Sequence, residues 1–148
     1  MRRIDIRAAQ INDAAEIAKL AGQLGYPTSP DDAAIRLGNL ITRPDHVIFV
    51  ATTDSGRILG WVHVFDFSLL ESQPTAEIGG LVVDQNYRGG GVGHALVEAA
   101  EDWSRQRGHS TLWVHSNTIR TDAHRFYTKL GFSQMKTQVV FMKTLESV

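Results

Sequence analysis

The stretch Leu81-Val82-Val83-Asp84-Gln85-Asn86-Tyr87-Arg88-Gly89-Gly90-Gly91-Val92-Gly93 decides the reading of this chain. It starts as a short apolar run, Leu81–Val83, which reads as a buried strand. A polar turn, Asp84–Tyr87, follows, then an arginine and four glycines, then the start of an amphipathic pattern. A strand that feeds a glycine-rich turn into a helix N-terminus is an anion-binding device. The first N–H groups of a helix have no partner inside it, and the helix dipole adds partial positive charge there. Glycines let a large anion approach the backbone and permit positive φ. Two better-known phosphate loops do not fit. The Rossmann spacing fails because Gly89 and Gly91 are followed by His94, and Gly91 and Gly93 by Leu96. The Walker spacing fails because His94-Ala95 follows Gly93 where Lys-Ser/Thr is required, which argues against nucleotide hydrolysis.

Downstream, Val92, Ala95, Leu96, Ala99, Ala100 and Trp103 recur at helical spacing until Gly108, the clearest helix in the chain. Thr111–Ser116 reads as a strand, so the crossover predicts that it runs parallel to the strand Ala76–Val83. Gly79-Gly80 interrupts that earlier strand, the mark of a bulge or of a close approach by a ligand. Thr118–Leu130 predicts a short helix with Ala123, Phe126, Tyr127 and Leu130 inside, ended by Gly131 and Phe132 in a Schellman arrangement. A final strand is expected over Val139–Met142, starting as early as Met135.

Upstream, Arg3–Ala9 alternates as a half-buried strand, and Asn12 or Asp13 is placed to cap a helix carrying Ala14, Ile17, Ala18, Ala21 and Leu24. Ser29-Pro30-Asp31-Asp32 starts a second helix, with Ile35, Leu37, Leu40 and Ile41 expected mostly inside. Val47–Thr52 and Ile58–Leu70 read as a hairpin around Asp54-Ser55-Gly56. The order predicts one α/β domain over residues 1–148: a mixed, mostly antiparallel sheet flanked by about four helices.

The totals suit that reading. The chain has 148 residues, and Lys+Arg at 15 against Asp+Glu at 16 argue against a nucleic-acid binder. The absence of cysteine excludes thiolate nucleophiles and Cys-ligated zinc. The six histidines show no ligand spacing, so no metal is expected; His115, two residues before Asn117, either faces the ligand cleft or is a core or surface residue, the latter being the commoner case. Met1-Arg2-Arg3 precedes no apolar leader, and no run approaches the ~20 apolar residues of a membrane helix, so a cytoplasmic protein with no membrane partner is the default.

What remains at the loop, Arg88-x-x-Gly91-x-Gly93 between strand and helix, resembles the GNAT family of N-acetyltransferases. A second signature, Asn117 followed by Ala123-His124-Arg125-Phe126-Tyr127-Thr128-Lys129-Leu130-Gly131-Phe132, lies on the matching later elements, and the element order agrees over most of the chain. Gln85 and Gly90 depart from the family's more usual proline and longer residue. The resemblance implies acetyl-CoA as co-substrate, without a metal, and direct transfer of its acetyl group to the amine of a small molecule or peptide in a ternary complex. It implies that backbone N–H groups from Arg88 through Gly89, Gly90, Gly91, Val92, Gly93 and His94 hold the pyrophosphate, with Arg88 adding charge or bracing the turn. It also implies that the strand pair at the cofactor cleft splays, so that Leu81, Val82 and Val83 offer backbone to pantetheine as to an added strand. Asn117 either bonds the cofactor or caps the next helix. Glu77 stands where several members carry a catalytic glutamate, and is otherwise an ion-pair or solvated strand carboxylate. Tyr127 matches the family's general acid, and its ring packs inside in either case. A backbone N–H near Leu81–Val82 would hold the oxyanion.

Two other functions share these residues. One is an acyl-CoA-binding sensor without catalysis, and the other an O-acyl or longer-chain acyltransferase. The acceptor side falls roughly at Leu24–Pro30, Asp66–Gln73 and Gln134–Val140, with Tyr26, Asp66 and Glu71 as candidate lining residues. Many family members are homodimers, which the sequence neither supports nor excludes.

Overall fold

A computed structural model describes residues 3–147; Met1-Arg2, which open the stretch read as carrying no leader, lie outside the described residues. The chain separates into two compact units, one ending at His115 and the other beginning at Ser116. The first contains β1 (Asp5–Ala8), α1 (Ala14–Gln23), α2 (Pro30–Ile41), β2 (His46–Thr52), β3 (Ile58–Phe67), β4 (Thr75–Val83), α3 (Val92–Gln106) and β5 (Leu112–Val114). The second contains α4 (Thr121–Lys129). The sheet order is β1-β2-β3-β4-β5, antiparallel throughout except for the parallel pair β4–β5. The expected mixed sheet and its parallel pair are therefore present.

The two faces of the sheet are covered by different helices. Ile48, Val50, Ile58 and Val82 cluster with Ala14, Ala18, Leu20 and Leu37 of α1 and α2. Trp61 joins them and donates from Nε1 to the Ile17 carbonyl at 3.3 Å. On the opposite face α3 packs against β2, β3 and β4. There Val62, Val64, Leu96 and Ala100 are inaccessible to solvent.

Local chemistry explains the element ends. Ser29 caps α2 through its Oγ, which accepts from the Asp32 N–H at 3.1 Å, and Pro30 occupies the first turn as expected. Asp13 does not cap α1 with its side chain. Its carboxylate instead accepts from the Gln10 N–H at 2.7 Å and from both terminal nitrogens of Arg7 at 2.8 and 3.0 Å. That fork holds the Asp13 carboxyl below the usual carboxylate range. In α2 only Ala33 and Leu37 are fully buried, while Ile35 and Ile41 are exposed. The α3 face is rotated by about one residue from the expected stripe: Val92, Gly93, Leu96, Val97, Ala100 and Ser104 are inside. Ser104 is accommodated because its hydroxyl donates to the Ala100 carbonyl at 2.7 Å.

In the second unit, α4 begins three residues later than the sequence pattern suggests, and its end is the expected Schellman stop. The Phe132 N–H reaches the Tyr127 carbonyl at 3.0 Å and the Gly131 N–H reaches that of Thr128 at 3.1 Å. The strand expected over Val139–Met142 is not formed. Residues 133–147 carry no regular structure, and the Val139–Met142 side chains are exposed. A β-prone run becomes a strand only where another strand takes up its N–H and C=O groups.

Candidate active site

The site grows from an irregularity in β4. Along β3, His63 pairs with Gly80, yet the next residue, Val64, pairs with Ile78. Gly79 is therefore an extra residue, the bulge that the paired glycines foretold. Both glycines look toward the same side. A Cβ on Gly79 would lie 3.1 Å from His63 Nδ1, and one on Gly80 would lie 3.0 Å from the Trp61 ring. A side chain at either position would press on a ring of β3, which suits glycine at both. Across the register Glu77 pairs with Phe65 and Val82 with Trp61, so both face α1 and α2 despite the odd spacing between them.

The neighbouring strand stops where the bulge begins. β5 pairs with β4 only over Ala76–Ile78. Beyond that point the outer edge of β4, through Leu81, Val82 and Val83, has no strand beside it among the described residues. A free strand edge of this kind can take an extended ligand by main-chain hydrogen bonds. The expected splay is thus present, with Leu81, Val82 and Val83 on its open edge.

That edge leads directly into the glycine turn. Asp84 anchors the turn by donating its N–H to the Leu59 carbonyl at 2.7 Å and accepting from the Asn86 N–H at 3.1 Å. Arg88 donates from Nε to the Val83 carbonyl at 3.4 Å, a brace between turn and strand. Gly89 and Gly91 have φ of +83° and +88°, and Gly91 is the N-cap of α3. The first helical bond runs from the Ala95 N–H to the Gly91 carbonyl at 3.0 Å. The N–H groups of Val92, Gly93 and His94 therefore precede the ladder and point out of the helix start. Gly90 lies between the two turning glycines with a Cβ position 3.5 Å from the Tyr87 carbonyl oxygen, an ordinary contact. With no side chain over this cradle and the dipole of a fifteen-residue helix behind it, the residues fit a pyrophosphate.

Glu77 lies on the other side of the bulge. Its side chain is 14% exposed, and its Oε1 is 3.3 Å from His115 Nδ1. Burial pushes the carboxyl up, and the charge of His115 opposes that shift. On the same face of β3, His63 Nε2 and His46 Nδ1 share a hydrogen bond of 2.9 Å, and the two rings stack with Phe65. Burial, reinforced by His46, lowers His63 to about 4. This imidazole pair and the Glu77–His115 contact escaped the sequence reading. The partners are 17 and 38 residues apart, and only strand register brings them together. Asp66, a candidate acceptor-side acid, is taken up elsewhere: Arg107 grips its carboxylate and His109 Nε2 bonds it at 2.7 Å.

In the second unit Asn117 does not cap α4. Its Oδ1 accepts from the Ile119 N–H at 3.1 Å, forming a turn before the helix, and its carbonyl accepts from His124 Nε2 at 2.9 Å. Tyr127 is fixed by edge contacts to the Phe126 and Phe132 rings, with centroids 5.2 and 5.4 Å away. Burial pushes its phenol above the ordinary value, with Arg120 opposing. Among the described residues no group of three acidic or histidine side chains is arranged to hold a metal ion. No helix among them is long and apolar enough to cross a membrane.

A bulged, splayed strand pair joined by a glycine turn to a helix N-terminus is the architecture of a transferase that lays a coenzyme along a sheet edge. The chain belongs to the acetyltransferase (GNAT) family, whose model matches residues 11–132. It is 30% identical over 145 residues to an aminoglycoside N(6')-acetyltransferase type 1 of Stenotrophomonas maltophilia, covering 95% of this chain and 94% of that one. It is 26% identical to the enzyme of the same name from Serratia marcescens, over 79% and 83% of the two chains. Among solved structures, the aminoglycoside antibiotic 6'-N-acetyltransferase AAC(6')-Ih from Acinetobacter baumannii superposes with a TM-score of 0.84 at 21% identity, covering 97% of this chain and 100% of that one. AAC(6')-Iy in complex with a bisubstrate analog, CoA-S-monomethyl-acetylneamine, gives 0.84 at 22% identity, covering 97% and 99%. At those identities the structural likeness speaks for the fold.

Proposed function

We propose that this acetyltransferase moves an acetyl group from acetyl-CoA to a primary amine of a small molecule, by direct transfer in a ternary complex. The observation that carries the donor half is the unpaired edge of β4 running into the free N–H groups at the start of α3. Leu81, Val82 and Val83 would bind the pantetheine arm, and Arg88 through His94 the pyrophosphate. Asn117 has its side-chain oxygen committed to a turn, which leaves its amide N–H donors for the coenzyme. Acetyl-CoA supplies a thioester that an unprotonated amine attacks.

An ammonium with a pKa near ~10 must first lose its proton, and Glu77 is the base. A half-buried carboxylate with a raised pKa is a better proton acceptor than an exposed one. The backbone N–H groups just past the bulge hold the oxyanion, Tyr127 gives its proton to the leaving thiolate, and the proton lost by the new amide nitrogen as the intermediate collapses restores the phenol. With no cysteine in the chain, no thiol acyl-enzyme enters the scheme. The relatives named for aminoglycosides, one of them matched over 95% of this chain, make such amines the first acceptors to try. The chain is read as one catalytic domain over residues 1–148, acting in the cytoplasm where acetyl-CoA is made.

An acetyl-CoA consumption screen over aminoglycosides, polyamines, amino acids and peptides tests this reading. Turnover with an amine and none with alcohols is the expected result. Tight acetyl-CoA binding without turnover of any acceptor would instead establish a binding domain.

A further inference from the structure

Of the two readings the sequence leaves for His115, facing the cleft or lying in the core or surface, register favours the first and sets it beside Glu77. Trp113 pairs with Glu77 and Val114 with Ile78, so alternation returns His115 to the face that Glu77 occupies. It sits one residue beyond β5, at the point where the strands part. The two partners differ sharply in exposure: the Glu77 side chain is 14% exposed and that of His115 64%, with Nδ1 3.3 Å from Oε1. A surface ion pair joins two solvated groups and contributes little. Here one member lies inside the cleft and the other opens to water.

We propose that His115 is the outlet of the proton-accepting site, taking the proton that Glu77 removes from the acceptor's ammonium and passing it to solvent. This rests on the reading of Glu77 as base. The acceptor's N–H bond breaks as a carboxyl O–H bond forms. That O–H bond breaks as Nδ1 of His115 gains the proton. The imidazolium then gives a proton to water, leaving Glu77 ionised and His115 neutral for the next turnover. At 3.3 Å the pair is slightly longer than a hydrogen bond, the usual state of a proton-transfer pair before substrate tightens it.

The other titratable groups nearby do not serve the same purpose. His63 on β3 borders Gly79, but burial holds it to about 4 and its Nε2 is tied to His46 of β2. Asp66 on β3 pairs with Ala76, so it lies on the opposite face, and its carboxylate is occupied by Arg107 and His109. When it carries the proton, His115 also opposes the effect of burial on Glu77. Its removal should therefore move the titration of Glu77 upward.

The test uses the full chain, with a 6'-amino aminoglycoside as acceptor and carbon-13 detection of the Glu77 carboxyl. Replacing His115→Gln is expected to raise the pH at which Glu77 titrates and to shift the acid limb of kcat/KM the same way. The plateau should fall by roughly tenfold, and added imidazole should restore part of the rate in His115→Ala. A Glu77 titration unmoved by His115→Gln overturns the pairing, whatever acceptor is used. If Glu77→Gln abolishes turnover while His115→Gln keeps the wild-type profile, the outlet is wrong and the base stands. If Glu77→Gln retains wild-type kcat/KM, the base reading falls, and the outlet with it.

Discussion

Tyr127 and His63 show how burial sets opposite chemical roles. Desolvation disfavours whichever form is charged, so it raises a phenol and lowers an imidazole. A raised phenol stays protonated throughout the neutral range, as a general acid must. The expected consequence is that Tyr127→Phe lowers kcat by roughly 10²–10⁴-fold with little change in the KM for acetyl-CoA. Any alkaline fall in rate well below pH 10 should persist in that variant, because Tyr127 does not cause it; steady-state pH profiles check both points. His63 yields a stability prediction. Its unfolded value is near ~6.5 and its folded value about 4, so between these the unfolded chain binds more protons. The stabilising contribution is whole above pH ~6.5 and is lost as the pH falls toward 4. By linkage the loss is roughly 3 kcal/mol when both states are protonated, less what solvent around the partly exposed ring screens. Urea unfolding at pH 7 and pH 4.5 should show this loss in the wild type and a smaller one in His63→Gln.

At the scale of elements, the glycine turn and α3 form one device. Gly91 combines an N-cap position with a φ of +88°, a conformation that costs an L-residue roughly 1–2 kcal/mol. Gly91→Val is expected to lose about that much stability and to weaken coenzyme binding at least tenfold in calorimetry. Gly90→Ala, at ordinary φ and with its Cβ in ordinary contact with the Tyr87 carbonyl, should keep wild-type stability. The same device was plain in the sequence because its signals are local: a strand, a turn and a helix start within thirteen residues. The bulge was legible for the same reason, from two adjacent glycines. Features set by distant partners were not. The α3 stripe is displaced because Ser104 finds a carbonyl on its own helix, and Asp13 turns away from α1 because Arg7 stands opposite. Ile35 is apolar yet lies outside, because α2 turns Ala33 and Leu37 inward and Ile35 falls between them on the other side of the helix. Val139–Met142 has the composition of a strand, but composition does not supply an edge to pair with.

For the whole molecule, coenzyme binding and stability are one measurement. A ligand that binds only the folded chain at a hundred times its Kd adds about 2.7 kcal/mol. For a chain of this length that is about 5–10 °C in Tm. Saturating acetyl-CoA should produce such a rise, and a flat melting curve would remove the donor from the scheme altogether. Because Gly79 and Gly80 face the same way, striking out Gly79 leaves every other side chain of β4 on the face it already occupies. The shortened strand would be an ordinary one, pairing along its full length with β3. A Gly79 deletion should therefore fold with near-wild-type cooperativity yet fail to bind acetyl-CoA. In genetic terms a plain sheet and one with the bulged edge proposed to take the coenzyme differ here by a single codon.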